Sequence, residues 1–138
     1  MNKLNEKHLD AVKYLISRYR SIKVKDIGDE NDSYPTKIHN IKAYTRRKPE
    51  DCDLCETKDS FGCSGCIHHL TKTACFHQKT YMDIFANGCK YTRLKLKNNC
   101  KERANFLQGL LDYYYANVGK ENGSIAYQRK AEKLLETL

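Results

Sequence analysis

The stretch that decides the reading of this chain is Cys52-Asp53-Leu54-Cys55, followed after seven residues by Cys63-Ser64-Gly65-Cys66 and after eight more by Cys75-Phe76-His77. Two residues between thiolates let a loop curl until both sulfurs point inward. Two such loops complete a tetrahedron of bonds of about 2.3 Å around a soft cation. Gly62 and Gly65 give the second loop its backbone freedom, and Asp51, Asp53, Ser60 and Ser64 suit tight turns. The segment 49–78 therefore predicts a zinc knuckle with Cys52, Cys55, Cys63 and Cys66 as ligands. Because the spacer is short, Cys75 or His77 can stand in for one of the four.

A closed shell of four sulfurs leaves no position for a reactive water, so the predicted Zn2+ is structural. Four thiolates on a divalent ion also carry a net charge of −2, which part of the surrounding basic charge would neutralise. The run Cys66-Ile67-His68-His69 brings a zinc-dependent HNH-type nuclease into consideration. No further Asn and His follow at the spacing such a strand-turn-helix core needs. No phosphate-cradling glycine loop, HExxH or GxSxG motif occurs either. The chain reads as non-enzymatic, with no catalytic residues assigned.

The order CxxC, short spacer, CxxC with apolar Ile67, a Thr-containing loop, Cys75 and a helix opening at Thr80-Tyr81 resembles small, uncharacterised cysteine-rich proteins of phages and prophages. The resemblance covers residues 49–86, with an echo at Ala104-Asn105-Phe106-Leu107. It departs in lacking a proline after the second CxxC and in a longer basic insertion, Lys90 to Lys101. It implies a metal-stapled phage-type accessory protein, residing in the host cytoplasm, and assigns no chemistry.

The 138 residues make one domain's worth of chain, with a net charge of +8 and no tryptophan. No apolar run approaches the roughly 20 residues of a membrane helix. The opening Met-Asn-Lys-Leu-Asn-Glu lacks an apolar leader core, so a cytoplasmic location with no membrane partner is expected. Seven cysteines in such a chain fit a reducing compartment better than a disulfide framework.

Charge is unevenly spread. Residues 1–50 carry 12 basic and 7 acidic side chains, 51–78 carry 2 and 4, 79–103 carry 7 and 2, and 104–138 carry 4 and 4. Basic segments thus flank the cysteine node. Lys42, Arg46, Arg47 and Lys48 on one side, with Arg93, Lys95 and Lys97 on the other, are the candidate contacts to nucleic acid. The neutral C-terminal segment and Tyr113-Tyr114-Tyr115 supply the competing expectation, an inhibitor or adaptor gripping a host protein.

The fold expected is mainly α with minor β, in a single domain. Apolar spacing of three and four predicts an N-terminal helix over 1–20, from Leu4 to Arg20, capped by Asn2 or Asn5. Ile22 to Ile27 alternates like a short strand. Pro35 permits a short helix through Tyr44 with Ile38 and Ile41 on one side. Thr80 to Asp83 reads as a capping box, Cys89 to Lys97 as a second strand with Leu94 and Leu96 on one face, and Asn98-Asn99 as its turn. Residues 100–138 are expected as an antiparallel helical hairpin, broken at Gly119.

Overall fold

A computed structural model describes residues 3–48, 52–58, 65–71 and 74–118. Its elements are α1 (Glu6–Ser21), α2 (Val24–Ile27), α3 (Tyr34–Thr45), α4 (Asp53–Thr57), α5 (Lys79–Phe85) and α6 (Arg93–Asn117). Single 3-10 turns at Ile67–Leu70, Cys75–His77 and Gly88–Lys90 join them.

The spine is α6, whose 25 residues span about 37 Å at 1.5 Å per residue. α1 packs most extensively against it. The Leu4 N–H donates to the Tyr114 hydroxyl at 2.8 Å, while Arg20 reaches Asn105 at 3.5 Å, so the two helices run antiparallel. The face of α1 that does this is His8, Leu9, Ala11, Val12, Leu15, Ile16 and Tyr19, a stripe at three- and four-residue spacing. Asn5 caps its start by accepting from the Lys7 N–H. Fully burying each large apolar side chain of such a stripe contributes about 1.5–3 kcal/mol. One hydrophobic core joins α1, α3, α4, α5 and α6.

Among the described residues the minor β component is not found. Ile22 to Ile27 does not run as a strand. Ile22 and Ile27 are both buried, and Val24–Ile27 closes a single helical turn in which Asp26 accepts from the Lys23 N–H. Gly28 ends it at φ 110°, where a Cβ would sit 2.5 Å from the Asp32 carboxylate.

Cys89 to Lys97 likewise forms a 3-10 turn and then the first turns of α6. Thr92 decides this by capping the helix, its hydroxyl accepting from the Lys95 N–H at 3.1 Å. Leu94 and Leu96 consequently part company: Leu96 is fully buried, and Leu94 is 57% exposed. Asn99 makes no turn. It lies buried inside α6, donating to the Asp83 carbonyl.

The capping box at Thr80 is also absent. Gln78 precedes α5, the Thr80 hydroxyl accepts from Arg103, and Asp83 pairs with Lys79 at 2.7 Å. α3 begins at Tyr34, one residue ahead of Pro35, with Ser33 as its cap. At Gly88 a Cβ would meet Leu96 at 2.9 Å and Tyr34 at 3.1 Å, so this glycine permits α3, α5 and α6 to converge. The first arm of the expected hairpin is the C-terminal part of α6; its partner arm lies outside the described residues.

Candidate metal centre

Cys52 immediately precedes α4, and its sulfur is set by local geometry. The Cys52 carbonyl accepts from the Cys55 and Glu56 N–H groups at 3.0 and 3.3 Å, and the Cys55 thiol and the backbone N–H groups of Leu54 and Cys55 act on its sulfur. Those donors, with Arg46 nearby, hold the Cys52 thiol below the usual range against the opposing effect of burial. Cys55 moves the other way, because it is the one that keeps the shared proton.

Cys66 is buried and within electrostatic reach of Cys55. Cys75 is half-buried, and together with Cys52 it lies within electrostatic reach of Arg103. Cys63 falls outside the described residues, so the expected four-cysteine set is described for three of its members. Among the described residues no three His, Cys, Asp or Glu side chains converge as a metal-holding group. His77, the expected substitute, is exposed, its ring edge-on to Phe76 at 4.4 Å.

His8 assembles this corner. Fully buried on α1, it accepts from the Ile67 N–H through Nε2 at 2.9 Å and faces the Thr57 hydroxyl through Nδ1 at 3.3 Å. The Thr57 hydroxyl donates to the Asp53 carbonyl, which leaves Nδ1 as the protonated nitrogen of His8. One imidazole thereby pins the segment after Cys55 and the segment after Cys66 to the same helix.

His68 is committed elsewhere. Its Nδ1 faces the Gln78 amide at 3.2 Å, and its Nε2 faces Arg103 at 3.3 Å. Burial, then Arg103 and His8, holds it well below the ordinary histidine range and therefore neutral. Both facing groups are donors, so the neutral ring accepts from one of them; both ring nitrogens face protein groups in the interior, and only His69 of the pair is exposed. Cys100 is buried in α6, where burial pushes its thiol up to about 12, so it behaves as a small apolar group. Cys89 is exposed.

The candidate nucleic-acid residues divide by burial. Arg46, the residue after α3, is only 9% exposed, and its guanidinium lies 5.3 Å from the Phe85 ring, with Lys42 at 5.8 Å from the same ring. Arg47 and Lys48 are 60% and 63% exposed and reach Asp53 at 3.6 Å and Glu56 at 3.9 Å on α4. Arg93 is held by Glu30 at 3.0 Å and by the Gly28 carbonyl at 2.7 Å. Lys95 lies over Tyr91 at 5.7 Å, and Lys97 is half-buried.

Lys37 donates to the Glu30 carbonyl, so Arg93 sits near the N-terminal end of α3. The Arg46–Lys48 run is at the other end, roughly 16 Å away along the helix. The Arg93 end of the segment Lys90 to Lys101 thus lies beside the Lys37 end of α3, while Arg46, Arg47 and Lys48 lie at its far end.

An open groove of about 610 Å³ runs beside α4, lined among others by Lys7, Asp10, Arg47, Glu56 and Lys58. Sequence reasoning missed Arg103, the most constrained cation of all. The signal was present, since Arg103 falls on the same stripe as Leu96, Cys100 and Leu107. Among the described residues no helix is long and apolar enough to cross a membrane. No family model, curated protein or solved structure matches the chain.

Proposed function

We propose that this protein is a non-enzymatic, zinc-stapled binding module of the phage accessory type, contacting nucleic acid through basic residues beside its cysteine corner. One observation carries the reading. Arg47 and Lys48, exposed directly after α3, are tied to Asp53 and Glu56 on α4, the helix that follows Cys52 and contains Cys55. The exposed end of the basic run therefore lies against the helix that carries the first cysteine pair.

Arg47 faces Asp53, a buried carboxylate with no hydrogen-bond partner, whereas the Lys48–Glu56 tie is long and exposed at both ends, so it contributes little to stability and leaves Lys48 able to exchange partners. A phosphate chain is such a partner, because each neutralised phosphate releases counterions. Lys58 and Lys7 extend the same basic rim along the groove. Lys95 and Lys97 on α6 belong to a second, separate patch. Arg46 serves the interior instead of the surface.

The test is fluorescence anisotropy of labelled single-stranded DNA, duplex DNA and RNA over a salt series. The Arg47→Ala, Lys48→Ala double variant is expected to bind about tenfold more weakly at low salt, with the salt slope reduced by about two. Unchanged affinity and slope would remove this surface from the reading. The host-protein alternative rests on residues 104–138, beyond α6 largely outside the described residues. A protein partner retained from nuclease-treated lysate would favour it.

A further inference from the structure

Arginine and tyrosine alternate where α1 meets the end of α3. The Arg47 guanidinium lies 5.5 Å from the centre of the Tyr14 ring, Arg18 lies 6.0 Å from the same ring, and Arg18 also lies 3.8 Å from the Tyr44 ring. The row therefore reads Arg47, Tyr14, Arg18, Tyr44. Its inner end is fixed by hydrogen bonds: Arg18 Nε donates to the Tyr44 carbonyl at 2.8 Å, and the Tyr44 hydroxyl meets the Ser21 hydroxyl at 2.9 Å. At its outer end Arg47 lines the open groove beside α4.

Core packing explains only part of this row. Tyr44 rests against the hydrophobic core, and Tyr14, also half-buried, is not among the side chains that do so. Arg18 has no carboxylate within ion-pair distance among the described residues, whereas the exposed Arg47 faces the buried Asp53 at 3.6 Å. Asp10 and Glu56 give the groove itself mixed charge, but Asp10 stands roughly 12 Å back along α1 from Arg18. Contacts between cations and rings are weak at exposed sites, so the row adds little to the fold. What it offers is flat rings held beside positive charge.

The rings decide which polyanion fits. A duplex keeps its base faces stacked on one another and presents phosphates, while an unpaired strand presents phosphates and base faces together. Bases stack on tyrosine rings and on guanidinium planes alike.

We infer that the row is a stacking platform for an unpaired stretch of nucleic acid, with a base on Tyr14, a neighbouring phosphate on Arg18, and the strand leading past Arg47 to Lys48. The platform presupposes the nucleic-acid reading and goes beyond it in naming the strand state and in extending the contact surface along α1. Every base has a flat face, so no base preference is expected.

The experiment is an anisotropy titration of the full chain with three labelled oligonucleotides of equal length: a mixed-sequence single strand, its duplex, and a single strand whose central positions are abasic. The intact single strand is expected to bind at least about tenfold more tightly than the other two, the reverse of the order that charge density alone would set for the duplex. Tyr14→Ala should weaken the intact strand by about tenfold without altering its salt slope, and Tyr14→Phe should bind as wild type does. On the abasic strand Tyr14→Ala and wild type should be equal.

Duplex bound as tightly as single strand, or an equal loss on intact and abasic strands in Tyr14→Ala, overturns the platform and leaves the nucleic-acid reading standing. A wild-type chain that binds none of the three overturns both. The three oligonucleotides compared on wild-type protein decide the matter even if Tyr14→Ala does not fold.

Discussion

The two ends of α6 show two different ways of holding a small protein together. Toward the C-terminal end, Leu107, Leu110, Leu111 and Tyr114 are buried in an apolar core shared with α1. Its polar atoms are few and matched, as where Tyr114 accepts from Leu4. One turn before Leu107, Arg103 enters an equally buried space lined by His68, Gln78, Thr71 and Thr80. The first region needs nothing but its own side chains. The second is a hydrogen-bonded network in which, among the described residues, no carboxylate pairs with Arg103 and its Nε is an orphaned donor.

That contrast can be broken most directly by metal removal. With free ion a thousandfold above its dissociation constant, the proposed Zn2+ site would contribute about 4 kcal/mol, so under that proposal exhaustive chelation should lower the calorimetric midpoint by roughly 10 °C or more. Far-UV circular dichroism should keep most of the helical signal, because α1 and α6 hold each other through buried apolar side chains. An identical midpoint with and without chelator would mean that the cysteine corner completes itself.

The next effect belongs to the other region. Leu110→Ala removes a fully buried side chain and should cost about 3 kcal/mol in denaturant unfolding, by the same amount in metal-loaded and metal-depleted protein. A cost that changes strongly with metal would show that the two regions are one cooperative unit.

His8 joins them. Replacing it by Ala leaves the buried Ile67 N–H without its acceptor and should cost about 1–3 kcal/mol, with faster metal loss to a chelator than in wild type. Equal metal-loss rates would separate His8 from the corner it is drawn to assemble.

The smallest effect lies at the surface. Glu30 is held below the usual carboxylate range by the Arg93 backbone N–H and then by its side chain, against a small effect of burial. Its pKa is lower folded than unfolded, so its contribution is present above the ordinary glutamate pKa and fades as pH falls through the lowered value. Glu30→Gln should therefore differ from wild type slightly at neutral pH and not at all in strong acid, as read from denaturation midpoints. A difference that persists in acid would assign the contact to hydrogen bonding alone.

Helical character was legible wherever an apolar stripe kept its period of three and four, as in α1 and the later part of α6. The start of α6 was not, because Leu94 and Leu96 two apart mimic a strand, and only the Thr92 cap and the burial of Leu96 choose the helix. The basic run at 46–48 looked uniform. Burial then divided it, drawing Arg46 inward toward Phe85 and Cys52 while Arg47 and Lys48 stayed in solvent.

By itself the sequence determined the composition of the two regions: which helices carry apolar stripes, where cysteines pair at two-residue spacing, and how much positive charge surrounds them. Those are properties of neighbours along the chain. Tertiary structure alone decided that His8, nearly sixty residues from Ile67, would orient the cysteine loops, and that Arg103 would meet Gln78, Thr80 and His68 with no carboxylate beside it. The physical reason is that desolvation depends on what surrounds a group in space, and local sequence does not encode that surrounding.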